Sequence, residues 1–159
     1  PPNFWRVASA QHVIVDGPNV MHAWPELRGL LQRDREAARD KLVRAVRGLH
    51  DAEAVRVTVV FDGRGTELTV EHPDGQATFT VVFTPSGLTA DDVIEQMVGQ
   101  ARDAAGGVVA SADAAERSTV EALGGTAISP EELRRRVASA AQRVQRALGR
   151  WNAKTGGSR

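Results

Sequence analysis

His12-Val13-Ile14-Val15-Asp16-Gly17-Pro18-Asn19 is the stretch on which the fold of this chain turns. A short apolar run that ends in Asp-Gly-Pro-Asn predicts a buried strand stopped at a turn, with a carboxylate at its carboxyl end. The same pattern returns in Val55 to Phe61, a β-branched run ending in Asp62-Gly63, and in Gly107 to Ala110, with Asp113 just beyond. Between these runs the apolar spacing becomes helical. Ala38, Leu42, Ala45, Val46 and Leu49 line one face of a helix over 34–49, and Val93, Ile94, Met97, Val98 and Ala101 line another over 89–101. Thr89-Ala90-Asp91-Asp92 and Ser129-Pro130-Glu131-Glu132 fit helix starts of the capping-box type, the second opening a last helix that runs to about Trp151. A helix from Asp113 to Leu123 closes at Gly124-Gly125, and Thr126 to Ile128 supplies a final strand. Thr66 to Val70 and Ala77 to Phe83 flank His72-Pro73-Asp74-Gly75 and read as a hairpin. Strands alternating with helices predict an α/β fold, a central mainly parallel sheet with helices on both faces.

The 159 residues, 42% of them hydrophobic, suit a single domain over 1–151 followed by a flexible, basic, Gly/Ser-containing tail over 152–159. The lack of cysteine excludes disulfides, thiolate zinc sites and a cysteine nucleophile, so any metal must be held by oxygen or histidine. No run approaches the roughly 18 apolar residues of a membrane span, and Pro1 to Ala10 lacks the regions of a signal peptide, which leads us to expect a cytoplasmic protein. The net charge of zero hides an asymmetry. Leu133 to Arg159 carries eight Lys/Arg and no Asp/Glu, leaving the remainder at minus eight. A basic carboxyl-terminal segment, with Arg134 and Arg135 at its start, suits a phosphate backbone, although a solvated helix face has the same composition.

Ligands of parallel α/β sheets bind beyond the carboxyl ends of the strands, where Asp16, Asp62, Asp91 and Asp113 can converge. Crowded carboxylates repel, so such a cluster makes sense around a hard cation, Mg2+ or Mn2+. Each acid also has a plainer reading. Asp16 and Asp62 precede glycine and suit turns, Asp92 suits a capping box better than a metal, and Asp113 suits a helix cap. Trp24-Pro25 offers either a stacking surface for a base or a core residue, and Arg39 and Arg64 either meet phosphate or are ordinary surface arginines. Trp5 and Trp151 are expected to pin the termini, and the four histidines show no ligand spacing. Phe61-Asp62-Gly63-Arg64 suggests an aspartyl phosphatase, but that chemistry wants an acid where Arg64 stands.

Asp16-Gly17-Pro18-Asn19-Val20 with His22-Ala23-Trp24-Pro25-Glu26-Leu27 resembles the opening of the YacP-like NYN branch of the PIN-fold ribonucleases. The resemblance continues in order through Ala38-Arg39-Asp40, Val59-Val60-Phe61-Asp62, Val82-Phe83-Thr84, Thr89-Ala90-Asp91, Ala110-Ser111-Ala112-Asp113 with Glu116, and Ser129 with Glu132-Leu133. It implies a PIN-like, three-layer fold and a metal-dependent endoribonuclease that acts on messenger RNA in association with the ribosome. By the same resemblance Asp16, Asp91 and Asp113 would bind Mg2+ or Mn2+ and carry catalysis, with Asn19 and Asp62 in support and Ser111 helping to fix the site. A non-catalytic RNA-binding module of the same fold is the alternative, although pure binding has no use for an acidic pocket. The chain departs from the family pattern at Pro18, where an aromatic residue is usual, before Ser129, where a basic residue is expected, and in a shorter basic extension. The oligomeric state is left open by the sequence.

Overall fold

Along β1 (His12–Asp16), β2 (Arg56–Asp62) and β5 (Gly107–Ala110), nearly every residue is buried on both faces, as strands covered on either side by helices must be. The computed structural model describes residues 11–156. Its remaining strands are β3 (Thr69–Glu71), β4 (Phe79–Thr84) and β6 (Thr126–Ile128), and its helices are α1 (Gly17–Ala23), α2 (Pro25–Arg33), α3 (Arg35–Glu53), α4 (Ala90–Gln100), α5 (Ala114–Ala122) and α6 (Pro130–Gly156). The sheet order is β3-β4-β2-β1-β5-β6. All neighbours are parallel except the β3-β4 hairpin, where Val70 faces Val82.

Two apolar layers follow from the strand period of two. Val13, Val15, Val57, Val59 and Phe61 point into one, packed by Val20 and Met21 of α1, Leu27 of α2, Leu42, Val46 and Leu49 of α3 and Leu133 of α6. Ile14, Val60, Val82 and Val109 point into the other, beneath Val93, Ile94 and Val98 of α4 and Val120 of α5. The expected three-layer α/β architecture is therefore present, as are the hairpin and the capping box of α4, in which the Thr89 and Asp92 side chains each take a backbone N–H of the other.

Three local expectations change. Asp16-Gly17-Pro18-Asn19 is not a turn: α1 starts at once, with proline in its first turn, where no N–H is needed, and Asp16 as its cap. Gly17 is required because a Cβ there would lie 2.4 Å from a Phe61 ring carbon, so α1 could not close over β2. The short helices α1 and α2, of 7 and 9 residues, carry too few apolar positions to show a helical period. Helix α6 continues past Trp151 to Gly156, so residues 152–156 are helical, and Trp151 is 62% exposed and pins nothing. Trp5 and residues 157–159 lie outside the described residues. No described helix is long and apolar enough to cross a membrane.

Of the two readings of Trp24, the core one holds. The side chain is buried in the main core and its indole Nε1 donates to the Pro130 carbonyl at 2.8 Å, tying the start of α2 to the start of α6. With no face open, it cannot stack a base. Replacing Trp24 with Phe should cost about 1–3 kcal/mol, through the lost hydrogen bond, the orphaned buried carbonyl and the smaller ring, measured by urea unfolding with an unchanged m-value.

Candidate active site

The chain leaves β1 toward β2 on one side, and β5 enters on the other, so the strand order reverses between β1 and β5. A crevice opens at such a reversal beyond the carboxyl ends of the two strands. Asn19 spans it. Its backbone N–H donates to Asp16 Oδ1 at 3.2 Å, and its side-chain Oδ1 accepts from Ala112 N–H at 3.0 Å. On the β5 side the Ser111 hydroxyl donates to Glu116 Oε2 at 2.6 Å and accepts from Asp113 N–H at 3.1 Å. Asp113 Oδ1 in turn accepts from Glu116 N–H at 3.0 Å, and Arg117 donates to the Ser111 carbonyl at 3.1 Å.

Asp16 is 3% exposed and Glu116 1%. Burial raises the Asp16 pKa, against hydrogen bonds from Glu116 and from the Asn19 backbone, and the nearby charges of Asp91 and Asp62 raise it further. The Glu116 pKa is pushed up to about 9, first by burial, then by the adjoining Asp16 carboxyl, with Ser111 opposing and the charges of Asp16 and Asp91 adding. The two carboxyl groups adjoin, and each acts on the titration of the other. Glu116 Oε1 meets no protein donor.

Asp62 is exposed at the end of β2 and its Oδ1 accepts from Ala90 N–H at 2.9 Å, which joins β2 to the start of α4 and employs the carboxylate the phosphatase reading would need as nucleophile. Asp91 is half-buried in the first turn of α4 and accepts from the Thr89 hydroxyl. Asp113 is exposed and caps α5. Asp16, Asp91 and Asp113 are thus not drawn into one ligand triad. Among the described residues, no three His, Asp or Glu side chains converge closely enough to enclose an ion. The charges that act on one another are those of Asp16, Glu116, Asp91 and Asp62. Glu116 was not read as a site residue from the sequence because Asp113-x-x-Glu116 looks like an ordinary capping box. Its distinguishing mark is burial, which the spacing does not show.

Of the predicted RNA contacts, Arg39 and Arg64 line one groove beside Asp62. Arg134 makes a two-pronged ion pair with Glu26, both bonds 3.1 Å, so its charge is already matched. Arg135 is exposed one residue on, with Glu132 and Arg136 around it.

The three-layer fold, together with the family and structural matches, places the chain among PIN-like domains of the nuclease-like, RNA-related class. The chain belongs to the YacP-like NYN domain family, whose model matches residues 13–158. It is 31% identical over 135 residues to the Bacillus subtilis (strain 168) protein YacP, covering 84% of this chain and 79% of that one. The crystal structure of Rae1 (YacP) from Bacillus subtilis superposes with a TM-score of 0.73 at 27% identity, covering 91% and 83% of the two chains. Its W164L mutant gives 0.75 at 28% identity, covering 90% and 84%.

The raised Glu116 pKa has a definite sign for stability. The folded state holds the proton more tightly than the unfolded chain, so the contribution is fully present below the unfolded value of 4.5 and is lost as pH rises toward about 9. In EDTA, stability from this group should fall between those limits by up to about 1.4 kcal/mol per pH unit. Glu116→Gln, which cannot ionise, should flatten that slope and unfold at a higher temperature than the parent at pH 8.5. A parallel pH slope in the two proteins would refute the assignment.

Proposed function

We propose that this chain is a Mg2+- or Mn2+-dependent endoribonuclease that hydrolyses RNA phosphodiester bonds. The observation that carries this reading is the pair of buried, adjoining carboxyl groups, Asp16 and Glu116, with Asp91 and Asp62 acting on them at the switch point of the sheet. A fold gains nothing by burying two like acids without a cationic partner, and the arrangement costs stability as soon as both ionise.

The donor chemistry fits a hard cation. Carboxylate oxygens are its preferred ligands, and Glu116 Oε1 lacks any protein donor. Asp16 and the adjoining Glu116 would hold the ion, with Asp91 near enough to act by its charge and the remaining positions falling to water and phosphate oxygen. Bound there, a divalent cation supplies a water of lowered pKa and positive charge for the phosphoryl oxygens. The protein's own residues set the stage. Asn19 holds the ends of β1 and β5 together, Ser111 orients Glu116, Asp113 fixes the first turn of α5, and Asp62 fixes the start of α4. To serve as a ligand Glu116 would have to be deprotonated, so affinity for the cation would rise with pH.

The same reading takes RNA as the partner, messenger RNA on ribosomes in the cytoplasm in its narrower form. The basic, exposed run of α6 beyond Arg143 supports a polyanionic partner.

Labelled single-stranded RNA should be cut in the presence of Mn2+ or Mg2+ and not in EDTA, and Asp16→Asn or Asp91→Asn should slow cleavage by about 100-fold or more. A folded parent that binds RNA but does not cut it, free or with translating ribosomes added, would favour the non-catalytic binding module. Mn2+ should also raise the unfolding temperature of the parent more at pH 8 than at pH 5, and not that of Asp16→Asn. Equal shifts in both proteins would place the cation elsewhere.

A further inference from the structure

On the far side of Asp62 from the acidic pair lies a groove of about 490 Å3, lined by Arg35, Arg39, Asp62, Arg64, Phe83 and Thr84 among others. A smaller hollow of about 210 Å3 shares Arg35, Arg39 and Asp62 with it and reaches Pro18 in the first turn of α1. Asp62 thus borders the groove while its charge acts on Asp16, so groove and acidic centre are adjacent.

The three arginines of this groove make no direct ion pair among the described residues. Glu36, Asp62 and Glu67 line the same space, yet none lies within ion-pair distance of Arg35, Arg39 or Arg64. Four arginines elsewhere are ion-paired, Arg47 with Asp74 at 2.6 Å, Arg134 with Glu26, and Arg136 and Arg143 with Glu53 at 2.7 and 3.0 Å; this groove is set apart by three unpaired arginines lining one space. Arg39 is the anchor. Its guanidinium sits 5.8 and 5.7 Å from the centroids of the stacked Phe61 and Phe83 rings, which hold the planar group in place. Its Nε is buried without a partner, and its one hydrogen bond, to the Asp62 carbonyl, is long at 3.5 Å. Burial and then the charges of Arg35 and Arg64 lower its pKa, against the opposing charges of Asp62 and Glu36. Gly63 permits the third member to approach: a Cβ there would lie 2.3 Å from the Thr84 carbonyl, so only glycine lets the loop carrying Arg64 lie against the end of β4.

Crowded, unpaired guanidinium groups with donors to spare make physical sense around an anion of the kind that accepts several N–H bonds. We propose that Arg35, Arg39 and Arg64 form a subsite for the phosphate backbone of single-stranded RNA, seating a phosphodiester next to the one presented to the acidic centre. The choice of RNA as the anion rests on the nuclease reading. The subsite positions the strand and carries no sequence information, since phosphates are alike along the chain. Arg39 supplies a fixed planar fork, and the exposed Arg35 and Arg64 close on the phosphate from either side.

The test uses Asp16→Asn as the background, so that RNA is bound without being cut, and reads the anisotropy of a labelled single-stranded oligoribonucleotide against salt. Adding Arg35→Ala and Arg64→Ala, both on exposed side chains outside the core, should weaken binding about tenfold at low salt and reduce the slope of log affinity against log salt by about 1.4. Arg39→Ala should weaken it as much, and Arg47→Ala, whose charge is matched by Asp74, should leave the slope unchanged. An unaltered affinity and slope in the Arg35/Arg64 variant, or no RNA binding by the background protein, would overturn the subsite. The nuclease reading is judged separately on the cleavage of the parent: an inactive parent whose RNA binding still depends on these arginines would sink that reading and leave the subsite standing.

Discussion

The burial of the Asp16 carboxylate at the carboxyl end of the central strand is the constraint around which the rest of the molecule is arranged. An acid that is 3% exposed must be met by donors or by a proton, and every neighbour contributes to one or the other. The first turn of α1 supplies the Asn19 N–H, and the adjoining Glu116 is pushed toward its protonated form. Gly17 lets α1 begin directly after the strand, and Asn19 reaches across to the backbone that follows β5. Remove the need to bury Asp16, and neither the abrupt strand-to-helix junction nor the clamp between β1 and β5 has a reason to exist.

The same edge of the sheet gathers three helix N-termini, and the acids sit on them. Asp16 caps α1, Asp113 caps α5, and the start of α4 is held by Thr89, Asp92 and the Asp62 carboxylate from the neighbouring strand. The partial positive charge at each N-terminus offsets part of the repulsion between the carboxylates. It cannot offset all of it, because Glu116 is still displaced to about 9. The residual strain is what a divalent cation would relieve, which links the structural role of these acids to their proposed chemistry. Capping and catalysis are not rival explanations here. Backbone donors position the acids, and their surplus negative charge is what the proposed chemistry would use.

Next to this negative centre the chain places its unpaired positive one. Two stacked phenylalanines from β2 and β4 support Arg39, while Arg134, Arg136 and Arg143 of α6 are tied to Glu26 and Glu53. The contrast separates basic residues that fasten the last helix to the body from those left open at the mouth of the crevice. Charge counted along the sequence pointed to the carboxyl-terminal segment, whereas charge counted after pairing points to the Asp62 groove as well.

Most of the fold was legible in the sequence. Val13 to Val15, Val57 to Phe61 and Val108 to Ala110 are continuous β-branched or apolar runs because strands covered on both faces tolerate nothing else, and α3, α4 and the start of α6 carry a clear period or cap. Asp16 and Asp91 were likewise marked out, since a carboxylate at a strand end or helix start is a local feature. Helices α1 and α2 were not legible because 7 and 9 residues hold too little amphipathic pattern, and their stability comes from packing on β2 and α3. Trp24 was ambiguous for a similar reason: an aromatic residue beside proline looks the same whether its ring is covered or free, and only the Pro130 carbonyl, 106 residues away, decides it. Glu116 and the arginine groove also needed the tertiary structure. Burial and the absence of an ion-pair partner are properties of distant neighbours, and no spacing along the chain encodes them.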